Sequence, residues 1–295
     1  MKQYPTFAGV HTALVTPFRN NQLDEAAYIK LIERQIEAGI HGIVPAGTTG
    51  ESPTLTHDEH YRVIELAVKT AAKKTLVIAG TGSNSTAKAV EMTQTAEKMG
   101  ADAALLVAPY YNRPSPEGLY QHFKAVAETV KIPILLYNVP GRCGVDISVS
   151  VVQRLAADCP NIVAIKEACG KVERAHELRA ALPHEFQILS GDDALTLPFL
   201  KAGGVGIISV ASNLIPLEIV KLVSLFESGQ LRGAEELHQR LTPLFRDLFI
   251  ECNPVPIKTA LATRGMIEEA FRLPLVSLTK EHREILLKTL ASTGV

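Results

Sequence analysis

Ile134-Leu135-Leu136-Tyr137 and Ile162-Val163-Ala164-Ile165, the second followed by Lys166, are two short apolar runs separated by a segment of helical character. Neither run alternates apolar with polar residues. Strands buried on both faces, as in a parallel sheet, read in this way. Similar runs extend in both directions: Val10–Val15, Gly42–Ala46, Leu76–Ala79 and Ala103–Ala108 before them, Gln187–Leu189 and Gly206–Val210 after. Together they make eight expected strands, whose starts recur every ~20 to 35 residues, the length of one βα unit. The intervening stretches carry helical signals. After Asp24, Tyr28, Leu31, Ile32 and Ile36 follow helical spacing until Gly39. Thr56 with Glu59 forms a capping box, and Ser115 followed by Pro116 is a helix start. Eight such units predict a (β/α)8 barrel, an α/β fold, over residues 1–229. A doubly wound open sheet is the alternative, and it usually has fewer strands. Beyond Gly229 the strand pattern stops, so residues 230–295 are expected to form a C-terminal helical region and an association surface.

The chain has 295 residues, 46% apolar and 21% charged, with a net charge of −1. This is the composition of a globular protein that buries a large core unaided. A balanced charge argues against a nucleic-acid binder. Cys143, Cys159, Cys169 and Cys252 show no CxxC spacing, as expected in a reducing compartment. Met1–Val10 lacks the pattern of a signal peptide, and Ala202–Leu217 is too short and too interrupted to cross a bilayer. A cytoplasmic location is expected.

In a (β/α)8 barrel the chemistry lies where strands end and βα loops begin. The expected strands end in Gly47-Thr48-Thr49-Gly50-Glu51, Gly80-Thr81-Gly82, Pro109-Tyr110-Tyr111-Asn112, Tyr137-Asn138-Val139-Pro140-Gly141-Arg142, Lys166-Glu167 and Ser190-Gly191-Asp192-Asp193. Lys166 is the sharpest signal. An amine at the end of a buried run loses hydration, which disfavours the ammonium. The neutral amine can attack a ketone and form an imine. A strand-end lysine can equally reach out to solvent, and position alone does not choose between the two. The turn at Thr48-Thr49 offers N–H and O–H groups to an anion such as a carboxylate, or is simply a tight turn. Tyr111 and Tyr137 could relay protons, and Arg142 could hold a second carboxylate with its fork of donors. Each has a plainer reading in isolation, and joint placement on one rim is what favours chemistry. No HExxH spacing, Cys/His cluster, P-loop or GxGxxG fingerprint is present.

Gly47-Thr48-Thr49-Gly50-Glu51-Ser52, Pro109-Tyr110-Tyr111-Asn112, Tyr137-Asn138-Val139-Pro140-Gly141-Arg142, Ile165-Lys166-Glu167-Ala168 and Asn253-Pro254-Val255-Pro256 resemble the signature set of the dihydrodipicolinate synthase family. That family belongs to the superfamily of N-acetylneuraminate lyase and the class I pyruvate-dependent aldolases. The resemblance runs over essentially the whole chain and carries specific implications. Such enzymes condense pyruvate with L-aspartate 4-semialdehyde in the diaminopimelate route to lysine, without metal or organic cofactor. Lys166 would form the imine. Thr48, Tyr137 and Tyr111 would be the proton relay, with Tyr111 given across a subunit interface. Thr49 would bind the pyruvate carboxylate and Arg142 that of the semialdehyde. The main chain of Ile208 would line the pyruvate pocket, and Gly191 and Asn253 would join the substrate-binding set. The assembly implied is a homotetramer, a dimer of dimers.

Sister aldolases acting on keto-deoxy sugar acids or 4-hydroxy-2-oxoglutarate share the lysine and generally lack an arginine at the Arg142 position. A non-catalytic keto-acid-binding member is a second alternative, which the intact relay disfavours. A pyridoxal phosphate enzyme would need a phosphate loop that is not evident. Cys143 stands where a threonine is common. Many relatives are inhibited by lysine at a site that Ser52, His57, His60, Asn84 and Tyr110 would match. There Lys88 replaces the usual glutamate, and a cation would repel the inhibitor's ammonium. Weak or absent lysine feedback is therefore expected.

Overall fold

The computed structural model describes residues 4–294. Eight parallel strands form a closed barrel in chain order, with the last strand beside the first. They are β1 Gly9–Ala13, β2 Gly42–Val44, β3 Leu76–Gly80, β4 Ala103–Val107, β5 Ile134–Asn138, β6 Ile162–Glu167, β7 Gln187–Ser190 and β8 Gly206–Ser209. The doubly wound alternative is thereby set aside. All eight expected runs are strands, with ends displaced by a residue or two. One displacement has chemical weight. The apolar run predicts a strand ending at Ile165, but β6 continues through Lys166 and Glu167. Both residues are held in the ladder: Tyr137 and Asn138 of β5 pair with them on one side, Leu189 and Ser190 of β7 on the other.

The helical signals also hold. α1 (Glu25–Glu37) starts at Asp24, whose carboxylate accepts from the Ala27 N–H at 3.0 Å, and it buries Tyr28, Leu31 and Ile32. α2 (His57–Ala71) carries the full Thr56/Glu59 capping box. α3 (Thr86–Met99) ends at Gly100 with φ +92°, and α4 (Pro116–Ala127) starts at Ser115. Then come α5 (Val149–Asp158), α6 (Glu173–Ala181), α7 (Thr196–Lys201) and α8 (Pro216–Glu227). Beyond Gly229 the described chain is helix and loop: α9 (Leu231–Asp247), α10 (Val255–Thr263) and α11 (Lys280–Ser292). A small antiparallel hairpin, Phe18–Arg19 with Gln22–Leu23, is absent from the strand pattern. Its turn is Asn20-Asn21, both at positive φ, the geometry that a two-residue hairpin needs and that asparagine tolerates.

The chain divides into two compact units. One consists of Leu76–Ile208 with the segment ending at Ala8, the other of Gly9–Thr75 with the chain from Ser209 onward. In the second unit the C-terminal region is tied to the early chain by side chains that satisfy backbone. Asn213 accepts from the Val15 N–H at 3.1 Å and donates to the Ala13 carbonyl at 2.7 Å. Arg272 donates to the carbonyls of Thr54 and Asn21 and pairs with Glu59 through both carboxylate oxygens at 2.6 Å. That pairing holds the Glu59 carboxyl down at about 2.

Candidate active site

In the first unit, β6 carries Lys166 into the core at only 5% exposure. Its amine lies 4.2 Å from the centre of the Tyr137 ring on β5, the residue paired with it across the ladder. Burial lowers the Lys166 pKa to about 7. The carboxylate of Asp193 opposes that shift and the guanidinium of Arg142 adds to it. Lysine with a near-neutral pKa is a nucleophile at physiological pH. Of the two sequence readings of Lys166, the buried amine is the one observed.

Space around the amine is defined by a missing side chain. A Cβ built on Gly191 would lie 2.9 Å from Lys166 Cε and 2.7 Å from the Ala168 methyl. Glycine at the end of β7 is therefore what lets the lysine side chain lie flat in its slot. Asp193 follows in a single 3-10 turn and is itself buried. Ile208 is fully buried in β8.

Beneath Lys166, Glu167 faces away from the amine into a polar network. Its carboxylate accepts from Asn138 Nδ2 at 3.0 Å, from the Cys169 N–H at 2.9 Å and from Arg174 Nε at 3.2 Å. Asn138 also donates to Asp146 at 2.7 Å and accepts from the Ile147 N–H at 3.0 Å, while Arg174 donates to the Ile147 carbonyl. Burial raises the Glu167 pKa, and these donors work against it. The network fixes both ends of the 139–147 segment. Arg142 lies within that segment, exposed, on the single helical turn Pro140–Cys143. Cys143 is buried, and burial pushes its thiol up to about 11, so it is an inert filler beside Arg142.

Tyr111 adjoins the Arg142 turn through its backbone, its N–H donating to the Cys143 carbonyl at 3.3 Å, while its side chain is exposed. The residue is 89% exposed and holds φ +72°, a left-handed conformation unusual for an aromatic residue. Tyr110 is partly exposed beside it, and Asn112 donates to the Asn84 carbonyl at 2.9 Å. Lys88 is exposed in the first turn of α3.

In the second unit, β2 leads into the Gly47-Thr48-Thr49-Gly50 turn. Gly50 and Ser52 N–H groups donate to the Gly47 carbonyl, and Glu51 N–H to that of Thr48. Thr16 Oγ1 donates to the Gly50 carbonyl at 2.7 Å. Thr49 is buried, and its hydroxyl accepts from Asn253 Nδ2 at 3.0 Å; Thr48 is half-buried. Asn253 lies two residues before the start of α10. Of the remaining expected residues, Ser52 opens a 3-10 turn, His60 is buried, and His57 is exposed with its Nε2 2.8 Å from the Tyr61 hydroxyl.

Lys166, Tyr137, Arg142 and Gly191 thus gather in one unit, and Thr48, Thr49 and Asn253 in the other. Three features lay outside the sequence reading: Asp193 as the charge near the amine, the Asn138–Glu167–Arg174 network, and a buried Glu51–Lys258 ion pair. Lys258 did carry a signal, since it is a lone charge within the apolar run Val255–Leu261.

A closed parallel barrel that keeps a desolvated lysine at a strand end defines a class, the imine-forming barrel lyases. Residues 6–293 match the Dihydrodipicolinate synthetase family, and the chain belongs to it. It is 48% identical over 289 residues to the 4-hydroxy-tetrahydrodipicolinate synthase of Endomicrobium trichonymphae, covering 98% of this chain and 99% of that one. With the enzyme of the same name from Nitratiruptor it shares 52% identity over 97% and 98% of the two chains. The solved 4-hydroxy-tetrahydrodipicolinate synthase of Methylacidiphilum fumariolicum superposes with a TM-score of 0.97 at 55% identity, covering 98% and 96%.

Proposed function

We propose that this protein is a 4-hydroxy-tetrahydrodipicolinate synthase, condensing pyruvate with L-aspartate 4-semialdehyde in the diaminopimelate route to lysine. The observation that carries the reading is the near-neutral, buried amine of Lys166 against Tyr137, in a chain of this family. The amine adds to the ketone carbon of pyruvate, water leaves, and a protonated imine remains. Its positive nitrogen draws electrons from the adjacent carbon, so the methyl group gives up a proton and becomes an enamine. The enamine carbon attacks the aldehyde of the second substrate, whose oxygen takes a proton. The amino group of that substrate then displaces the lysine from the imine carbon, which closes the ring and frees Lys166.

Thr48, Tyr137 and Tyr111 serve as the proton relay. Thr49 receives the pyruvate carboxylate with Asn253 behind its hydroxyl, and Gly191 and Ile208 shape the space beside the amine. Arg142, exposed at the mouth of its loop, takes the carboxylate of the semialdehyde. The exposure of Tyr111 supports its donation to a neighbouring subunit, in a homotetramer built as a dimer of dimers. The cytoplasm is the compartment; four cysteines with no disulfide among the described residues agree with it.

Intact mass after borohydride reduction tests the mechanism. Wild type is expected to gain a pyruvate-sized adduct that Lys166→Ala does not, and the adduct-forming enzyme should consume aspartate semialdehyde. Folded wild type without an adduct would refute the mechanism. An adduct without semialdehyde turnover would point to a sister aldolase.

A further inference from the structure

The Thr48-Thr49 turn runs into a residue that carries three separate costs. Glu51 holds φ +55°, a left-handed backbone that residues with a side chain seldom adopt. Its side chain is fully buried. One carboxylate oxygen, Oε2, receives no hydrogen bond from any donor among the described residues. The other is paired with the amine of Lys258, which is equally buried and lies 4.4 Å from the centre of the Phe18 ring. A buried ion pair contributes little net stability compared with an apolar pair of the same volume. Packing alone therefore gives no reason for these residues.

What the pair does accomplish is geometric. Asn253 and Lys258 are carried by one rigid piece, α10 and the residues leading into it. Asn253 holds the Thr49 hydroxyl, and Lys258 holds the carboxylate two residues further on. Thr16 holds the Gly50 carbonyl between them. A turn gripped at three successive residues can neither rotate nor slide. Gly50 has no room for adjustment either, because a Cβ there would lie 3.1 Å from the Leu14 carbonyl oxygen. Ala46, at the entry to the turn, also has a positive φ, of +54°. The turn is thus a strained segment kept in one conformation from outside.

We propose that Glu51 and Lys258 are positioning residues that set the Thr48-Thr49 turn in the conformation that receives a substrate carboxylate. This rests on the reading of that turn as the pyruvate carboxylate site. The C-terminal helical region then acts as a template for substrate binding.

Adduct formation with pyruvate, trapped by borohydride and measured by intact mass across a pyruvate titration, tests the proposal. Lys258→Met leaves the Glu51 carboxylate unpaired. Glu51→Gln combined with Lys258→Met removes both charges at nearly constant volume. Half-saturating pyruvate is expected to rise about tenfold in both, the worth of one hydrogen bond to a carboxylate. Trapping at saturating pyruvate should stay near wild type, and Lys258→Arg should recover most of the midpoint. A structural role alone would reduce the fraction of chains that react without moving the midpoint. An unshifted midpoint in the double variant, folded by circular dichroism, overturns the proposal. If Lys258→Met does not fold, the double variant decides. Wild type that fails to trap pyruvate overturns the reading of the site, and this proposal with it.

Discussion

Replacing the charges around Lys166 should move its titration in opposite directions. The neutral amine is the attacking form. With its pKa at about 7, about half the chains carry it at neutral pH. An unperturbed lysine, near 10.5, would carry it in roughly one chain in three thousand. Asp193 favours the ammonium and Arg142 disfavours it. Asp193→Asn should therefore lower the midpoint and Arg142→Gln should raise it. The assay is the initial rate of borohydride-trapped pyruvate adduct, followed from about pH 5 to about pH 10. The sign of the linked stability follows from the same shift. Above pH 7 and below 10.5 the unfolded chain holds a proton on Lys166 that the folded chain has released, so stability rises with pH across that window. Below pH 7 both forms are protonated, and the full burial penalty, about 5 kcal/mol, weighs against folding. Lys166→Met should accordingly be more stable than wild type at about pH 6, with the advantage shrinking by roughly half at about pH 9. A wild-type midpoint above about pH 9, or both charge variants shifting it the same way, would refute the reasoning.

Gly191→Ala places a methyl group where Lys166 Cε and the Ala168 methyl now lie. The trapping rate is expected to fall at least about tenfold while the far-UV spectrum is retained, because a small displacement of a reacting group is costly. Glu167→Gln removes the buried carboxylate from Arg174, leaving it only the exposed one of Glu177 at 3.8 Å, and a loss of about 3 kcal/mol in denaturant unfolding is expected. The loosened 139–147 segment should raise the KM for aspartate semialdehyde more than that for pyruvate, and equal effects on both would count against a link to Arg142. L-Lysine in the sub-millimolar range is expected to leave activity nearly unchanged, since Lys88 would repel its ammonium. Strong inhibition in a simple titration would show that reasoning to be wrong.

The barrel was legible because most strands are nearly continuous apolar runs and several helices carry their own caps. Thr56 with Glu59 and Ser115 with Pro116 are local signals, and local signals survive folding. Lys166 was legible for the same reason, as a charge at the end of an apolar run. Its depth was not, since β6 reaches Glu167 only by pairing with Tyr137, Asn138, Leu189 and Ser190, residues distant in the chain. Charge effects were the least visible. Nothing in the spacing of Asp193 or Arg142 tells that both act on one amine with opposite signs. Lys258 was overlooked because its partner, Glu51, lies two hundred and seven positions away. The Asn20-Asn21 hairpin escaped the sequence reading because its strands, two residues each, are too short to form a pattern.

The stacking of Lys166 on Tyr137 has an optical side. The chain contains seven tyrosines and no tryptophan, so its absorbance and emission on the long-wavelength side of the phenylalanine band come from phenols. A positive charge 4.2 Å from the centre of one ring shifts that ring's transition, and losing the proton or forming the imine changes the shift. The protein therefore carries its own indicator for the step that begins catalysis. Difference spectra against a Tyr137→Phe variant would isolate the contribution of that single ring, and the charge state of the nucleophile could be followed without label or substrate.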